Sequence, residues 1–165
     1  MALTTQSGNL VWQKVKNYLS NVNASSTGVT PVAQEAFLAL KKFMAQNKRN
    51  PDLQFAPFTA EQAVTNGGTS LIGGACTLYG LYYRARRTSG TTAAFLAIHD
   101  AADNSASTTT VVTAKIKATL NEGQILSGQG YALATDAVIS CATAVGGATE
   151  SATADAADGF IIVGA

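Results

Sequence analysis

The chain has few of the side chains that usually carry out chemistry. Its 165 residues include one histidine and two cysteines, and charged residues make up 13%, where a soluble domain carries about a quarter. Nowhere do about 18 uncharged apolar residues follow one another, which is the length that a membrane-spanning helix needs. The composition therefore argues against a metal centre rich in histidine or cysteine and against a transmembrane protein.

The small number of charged residues also indicates what the surface of the protein consists of. A chain of this length buries one core, so we expect one domain with an appendage. Much of its surface must consist of Ala, Thr, Ser, Gly and Asn, and depletion of charge is typical of the cores of protein interfaces. We therefore favour a subunit that packs against other protein. The alternative is a small, compositionally biased soluble protein without a partner.

The net charge of +1 conceals an asymmetry along the chain. Residues 1–87 hold nine basic and three acidic side chains, a net charge of +6, whereas residues 88–165 hold two basic and seven acidic side chains, a net charge of −5. Such a subunit can pack head to tail or seat its basic part on an acidic partner. The alternative is solvated charge. No motif interleaves the basic residues with aromatic ones, which argues against nucleic-acid binding.

Cys76 and Cys141 both lie in apolar alternating segments. We expect buried free thiols there; a disulfide between them is possible but is not implied. The N-terminal residues lack a basic region followed by an apolar core and a cleavage site. We expect synthesis in a cytosol, without export and without membrane insertion.

Two helices are predicted at the start of the chain. In the first, from Leu10 to Val22, apolar residues recur at helical spacing: Val11, Val15, Tyr18, Leu19 and Val22, with Trp12 as a further anchor. In the second, Thr30 caps and Pro31 occupies the first turn, and Asn50-Pro51 ends the helix. Its apolar stripe is Ala33, Phe37, Leu40 and Met44, and its basic residues are Lys41, Lys42, Lys48 and Arg49.

An irregular passage follows, from Pro51 to Gly68. It holds two of the three prolines and a double glycine, so we expect an extended arm or loop with one short strand near Gln54–Phe55. We therefore divide the chain into an N-terminal helical anchor and arm, residues 1–68, and a β-sandwich domain, residues 69–165. A chain that begins near Thr69 should keep its β structure, unless the helices cover an apolar sheet face.

From Ser70 onward the spacing is that of strands. The predicted strands are Ala75–Arg87, Ala93–His99, Val111–Leu120, Gln124–Leu126, Tyr131–Ala134, Ala137–Thr143 and Phe160–Val163, with a further one at Ser70–Ile72. Asn121-Glu122-Gly123 is a hairpin signal, and 144–158 is a long loop or a crossover. The fold class is mainly β: an antiparallel β-sandwich, jelly-roll or immunoglobulin-like, preceded by two short α-helices and an extended arm.

The clearest strand lies within Thr108–Leu120. Its alternation predicts one dry face, formed by Val112, Ala114, Ile116, Ala118 and Leu120, and one wet face, formed by Thr113, Lys115, Lys117 and Thr119. On the same principle, Tyr79, Leu81 and Tyr83 share one face of an earlier strand. Gly80, Tyr82, Arg84 and Arg86 share its other face. Those tyrosines and arginines could stack on a nucleic acid or a glycan, but half of them are more simply explained as core.

Candidate catalytic and metal-binding residues are sparse. His99 adjoins Asp100, but no Gly-x-Ser-x-Gly sequence supplies a nucleophile, and a histidine at a strand end beside a turn carboxylate is the simpler interpretation. Two groups of acidic residues could bind calcium, but their position in turns is the commoner explanation. One group is Asp100 and Asp103, and the other is Glu150, Asp155 and Asp158. Gly67-Gly68 and Gly73-Gly74 are turns, because no Gly-Lys-Ser/Thr follows. We expect no metal, no cofactor and no catalytic residue.

One family resemblance emerges from these segments. The stretch LYGLYYRARRTSGTTAAFLAIHDAAD, the alternating strand after it and the closing Gly159-Phe160-Ile161-Ile162-Val163 resemble the small β-sandwich virion structural proteins of tailed bacteriophages. The resemblance covers about the last 90 residues. It implies a head-decoration, auxiliary-capsid or fibre role, with oligomeric subunits.

The resulting hypothesis is a non-enzymatic virion structural protein, made in a host cytoplasm, that forms a homo-oligomer, a trimer, and attaches to a capsid or tail protein through its N-terminal region. The predicted partner-binding residues are Val11, Trp12, Val15, Tyr18, Phe37, Leu40 and Met44, with Lys41, Lys42, Lys48 and Arg49 meeting an acidic partner. The alternative is a receptor- or glycan-binding adhesion module on the same sandwich.

Overall fold

Two antiparallel four-stranded sheets face each other in the computed structural model, which describes residues 8–25, 34–47, 52–86, 94–103, 109–116, 122–145, 151 and 153–165. The elements in chain order are α1 Gly8–Ser25, α2 Gln34–Asn47, β1 Leu53–Phe58, α3 Ala60–Ala63, β2 Thr69–Ser70, β3 Cys76–Ala85, β4 Ala94–His99, β5 Thr110–Ile116, β6 Glu122–Leu133, β7 Val138–Ala142, a 3₁₀ turn Thr153–Asp155 and β8 Ala157–Gly164. The chain is mainly β, and the arrangement is that of a sandwich.

The strand order is β1-β8-β3-β6 in the first sheet and β2-β7-β4-β5 in the second. Strand β8 therefore lies between β1 and β3, which confirms that the end of the chain is a strand inside a sheet. It begins at Ala157, three residues before the predicted start. None of the helices in the described segments is long and apolar enough to cross a membrane.

Strand β5 has the predicted two faces. Val112, Ala114 and Ile116 are buried between the sheets, whereas Thr113 and Lys115 are exposed. Residues 117–121 lie outside the described part of the chain, so the prediction is confirmed as far as Ile116. The alternation is readable from sequence because successive side chains of a strand point to opposite faces.

Strand β3 departs from the predicted alternation at Tyr79. A register shift between Leu78 and Gly80 inserts one extra residue, so Leu78 and Leu81 both face the other sheet. Such a bulge reverses the facing of every residue on one side of it. Tyr79 therefore packs with the helices rather than sharing a face with Leu81 and Tyr83, and that prediction was wrong.

Strand β6 is one long strand where two were predicted. Residues 127–130 have no partner on β3, and pairing continues on both sides of them. The predicted hairpin turn at Asn121-Glu122-Gly123 was wrong in part, since Glu122 and Gly123 pair within the sheet. Gly123 serves close packing instead, because a Cβ there would lie 2.5 Å from the Tyr83 hydroxyl oxygen.

The predicted arm contains a full strand of the first sheet. Strand β1 pairs in register with β8 from Leu53 to Phe58, beyond the two residues predicted. Pro57 is tolerated because β1 is an outer strand. The short helix α3 follows it, with Thr59 and Gln62 forming a capping box. Ala60 and Ala63 of α3 are buried in the core between the sheets.

Helices α1 and α2 form a third layer on the outer face of the first sheet, the face that points away from the second sheet. Their buried residues form one cluster with Tyr82, Phe160 and Ile162 of that face. The sheet thus has an apolar surface on both sides. Such a sheet exposes a large apolar patch unless a further element covers it.

Truncation before Thr69 is therefore expected to expose this face. The shortened chain lacks α1, α2, β1 and α3, so it should aggregate and bind a hydrophobic dye rather than remain a soluble sandwich. Size-exclusion chromatography and dye fluorescence, with a chain beginning at Gly8 as the control, measure this. A soluble truncated chain with β-rich circular dichroism would restore the separable anchor of the sequence-based hypothesis.

Candidate functional site

The predicted partner-binding residues divide into two groups. Four of them are almost completely buried against the first sheet: Val11, Val15, Leu40 and Met44. These four cannot contact a partner while the helices are docked, so the prediction is corrected for them. The physical reason is that the outer sheet face is itself apolar, and the apolar stripes of the helices bury against it.

Aromatic side chains hold α1 on the sheet. The ring centre of Tyr18 lies 5.2 Å from that of Phe160 in an edge-to-face arrangement, and Phe160 stacks on Tyr82, also at 5.2 Å. Phe55 of β1 lies 4.9 Å from Phe160. Pairs of this geometry each stabilise by about 0.5–1.5 kcal/mol beyond area burial. Tyr18 therefore positions α1 and is half-buried.

The second group remains accessible. Trp12 and Phe37 are half-buried, with ring centres 5.8 Å apart, and together they join α1 to α2. Lys41 and Lys42 are exposed on α2, beside Leu38, which is 51% exposed. We call Leu38, Lys41 and Lys42 the α2 surface. Lys48 and Arg49 lie outside the described residues.

An ionic network lies where β3 and β8 meet α3. Arg86 donates from Nε and Nη2 to the two oxygens of Asp158, both at 2.8 Å, and it also donates to Glu61. Asp158 Oδ1 accepts from the backbone N–H of Ala60 at 2.8 Å, which fixes the start of α3. Hydrogen bonds from Arg86 lower the pKa of Glu61 to about 2. The exposed network orients loops and contributes little stability.

Arg84 is the most buried cation of the described chain, at 9% exposure. Register places it opposite Asp158 of β8 on one side and Glu122 of β6 on the other. The hydroxyl of Tyr82 donates to Glu122 Oε2 at 2.7 Å. The pKa of Tyr82 is raised chiefly by burial and, to a smaller extent, by this hydrogen bond. The sequence alone did not place Glu122 and Asp158 opposite Arg84, because the pairing of residues between strands cannot be read from local sequence.

His99 lies on the outer face of the second sheet and is 2% exposed. Its Nε2 is 2.7 Å from Ser140 Oγ, and its Nδ1 is 3.1 Å from Thr110 Oγ1. Asp100 does not orient this ring, because it accepts from the backbone N–H groups of Ala134 and Thr135. Burial lowers the pKa of His99, so its neutral form is favoured. The serine–histidine pair resembles a nucleophile with its base, and both side chains are buried, each 2% exposed.

No group of three or more His, Cys, Asp and Glu that could hold a metal ion occurs among the residues that the structure describes. Of the acidic residues considered for calcium, Asp100 and Asp158 already accept backbone and arginine hydrogens, and Glu150 is outside the described residues. Cys76 and Cys141 are free and buried, as expected.

Alkaline pH is expected to destabilise the fold. The pKa of Cys76 is raised from 9.0 to about 11, chiefly by burial and to a smaller extent by the negative charges of Asp136 and Asp100. The thiol ionises at lower pH in the unfolded chain than in the folded one. The stability that the buried, protonated thiol gives the fold is therefore complete below pH 9 and is lost between pH 9 and pH 11. The loss is about 1.4 kcal/mol per pH unit in that window. Tyr82 and Tyr83, whose pKa values are also raised, add to the loss above pH 10.

Urea unfolding at pH 8 and pH 10.5 measures this effect. Cys76→Ala should be less stable at pH 8 because it leaves a cavity, but its free energy of unfolding should fall less between the two pH values. Equal stability of the unaltered chain at both pH values would contradict the prediction.

Comparison of the chain with protein-family models, with curated proteins and with solved structures finds no match in any of the three.

Proposed function

We propose that the sandwich is a jelly roll. The pairs β1–β8, β2–β7, β3–β6 and β4–β5 are nested, first strand with last, and alternate between the two sheets. A folded-over hairpin of eight strands in two four-stranded sheets has this order. The immunoglobulin-like alternative has seven strands in its constant-type form, divided four and three, and fits the strand order less well.

We propose further that the chain is a non-enzymatic virion structural protein, a capsid decoration, auxiliary or fibre-like subunit. The nested strand order is the observation that carries the proposal, because jelly rolls build viral capsid domains and lectin domains. Low charge supports it, since surfaces that assemble are depleted of charge at their centres. The protein would be made in the host cytoplasm and would reside in the virion as a homo-oligomer, with the trimer as the sequence-based expectation.

Attachment to a capsid or tail protein is assigned to the α2 surface. Leu38 is an exposed apolar side chain flanked by the exposed cations Lys41 and Lys42. This pattern suits a partner with an apolar socket rimmed by carboxylates. The sequence-based division into an attachment region, residues 1–68, and a sandwich, residues 69–165, enters this proposal with one change. Strand β1 belongs to the sandwich because it pairs with β8, so the proposed attachment region ends before Leu53.

Electron microscopy of the native particle, with antibodies against this chain as the label, tests the proposal. We expect regularly arranged labelled subunits on the capsid or tail. In particle-binding assays, Lys41→Glu with Lys42→Glu should abolish incorporation, whereas Lys115→Glu, on exposed β5, should not. Absence of the chain from purified particles would refute the virion role.

Glycan binding is the second candidate, because jelly rolls also form lectin domains. An open groove beside α3 combines aromatic and polar side chains, among them Tyr18, Thr59, Gln62 and Arg86. A glycan array is the direct test. Binding that is weakened by Gln62→Ala, with the fold intact, would favour this candidate over a purely structural role.

A further inference from the structure

His99 is the only histidine of the chain, and it is buried where three strands meet. It is the last residue of β4. On one side, its Nε2 lies 2.7 Å from Oγ of Ser140 in β7, and on the other, its Nδ1 lies 3.1 Å from Oγ1 of Thr110 in β5. A neutral imidazole donates from one nitrogen and accepts at the other, and a hydroxyl group does either, so both contacts are satisfied without a charge.

The charged groups described around this ring do not offset a proton on it. The carboxylates of Asp100 and Asp136 accept from backbone N–H groups. Strand β7 contains no charged residue, and the one charged residue of β5, Lys115, lies at the far end of that strand. The negative charge of Asp103 favours protonation of the ring, but the effect of burial is larger, so the pKa of His99 is lowered. A proton on the ring therefore places a poorly compensated cation inside the protein.

Strand β5 is the least secured of the three strands around the ring. Among the described residues it pairs with β4 alone, whereas β7 lies between β4 and β2. A register shift between Ile98 and His99 interrupts the pairing of β4 with β5 beside the ring. Next to this shift, the N–H of Asp100 donates to the carbonyl oxygen of Thr109 at 2.8 Å. Displacement of this short segment is therefore the smallest change that gives the ring access to water.

We propose that His99 is an acid-sensitive switch, whose protonation releases the start of β5, from Thr110 to Val112, from β4. The release lets water hydrate the imidazolium, and it withdraws the buried Val112 from the core between the sheets. The ring takes up its proton at an ordinary pKa of 6.5 in the open form and only at lower pH in the closed form. The closed form is therefore fully favoured above pH 6.5 and loses stability as the pH falls below that value. This response to acid goes beyond the virion role and does not depend on it.

Hydrogen exchange at pH 7.5 and pH 5.5, measured by mass spectrometry and corrected for the intrinsic pH dependence of exchange, tests the proposal. A single group changes an opening equilibrium by at most about tenfold per pH unit, so we expect the open population of residues 110–112 to rise by about five- to tenfold at pH 5.5. These residues should also be less protected at pH 5.5 than the central strand β8. Unchanged exchange overturns the proposal. Protection equal to that of β8 also overturns it, because it would mean that only global unfolding exposes the ring.

His99→Gln is the matched variant, because glutamine keeps a neutral donor and acceptor near the position of Nε2 but takes up no proton in this pH range. Its exchange at residues 110–112 should be the same at both pH values to within about twofold. Circular dichroism shows whether the variant is folded. A rise equal to that of the unaltered chain would assign the effect to carboxylates and overturn the role of His99.

Proton NMR of the unaltered chain is an independent measurement that needs no variant. One histidine gives one imidazole titration curve, and in the folded chain we expect its midpoint to lie below the 6.5 of an ordinary histidine. A midpoint at or above 6.5 would mean that burial does not disfavour the protonated ring, and it would overturn the proposal.

Discussion

Replacement of Gly159 by alanine is expected to destabilise the fold severely. Gly159 lies on β8, and a Cβ there would be 2.1 Å from the backbone oxygen of Tyr82 and 2.7 Å from Cζ of Phe58. The first of these atoms belongs to the neighbouring strand and cannot move without separating β8 from β3. We expect a loss of about 3 kcal/mol or more, the upper end of the range for overpacked cores.

The matched control is Gly74→Ala, whose Cβ would meet no atom within 4 Å. Urea unfolding monitored by tyrosine and tryptophan fluorescence measures both variants. Because a domain of this size is stable by about 5–15 kcal/mol, Gly159→Ala should be largely insoluble or unfold at much lower urea. A Gly159→Ala chain as stable as Gly74→Ala would show that β8 and β3 are not packed as described.

Ile116→Asp is expected to be comparably severe. The Ile116 side chain is 1% exposed and belongs to the apolar cluster between the sheets, at the end of β5. A carboxylate there must either lose its hydration or take up a proton. Both cost free energy, and we expect a loss of about 4 kcal/mol.

Lys115→Thr, one residue earlier, is the control. Lys115 is exposed, and its ammonium group lies 6.0 Å from the ring centre of Phe95. Loss of this contact should cost no more than about 0.5 kcal/mol. Thermal unfolding of the two variants shows which face of β5 is buried. Equal losses of stability in Ile116→Asp and Lys115→Thr would mean that the two faces of β5 are assigned wrongly.

The helix layer changes how the N-terminal region contributes to function. Its apolar stripes pack in one buried cluster with Tyr82, Phe160 and Ile162 of the first sheet. Leu38, Lys41 and Lys42 are exposed, and the proposed attachment is assigned to them. Truncation removes these helices and leaves the apolar face of the first sheet uncovered, which is why aggregation is expected.

The candidate site was only partly predictable. The apolar stripe of α2 follows from helical periodicity, and its residues Leu40 and Met44 are buried, whereas Lys41 is exposed. Which apolar surface receives Leu40 depends on the sheet, and the sequence does not state it. The link between Arg86 and Asp158 joins residues 72 positions apart, and no local pattern indicates such a pairing.

Two features could be read from the sequence alone, the mainly β class and the two faces of β5, because alternation along a strand is a local property of the backbone. The apolar neighbours of the two cysteines likewise indicated that both thiols are buried. Four features required the three-dimensional structure: the nested strand order, the bulge at Tyr79, the place of β1 in the first sheet and the sheet face on which the helices pack. These features depend on register between distant segments, where a shift of one residue exchanges the two faces of a strand.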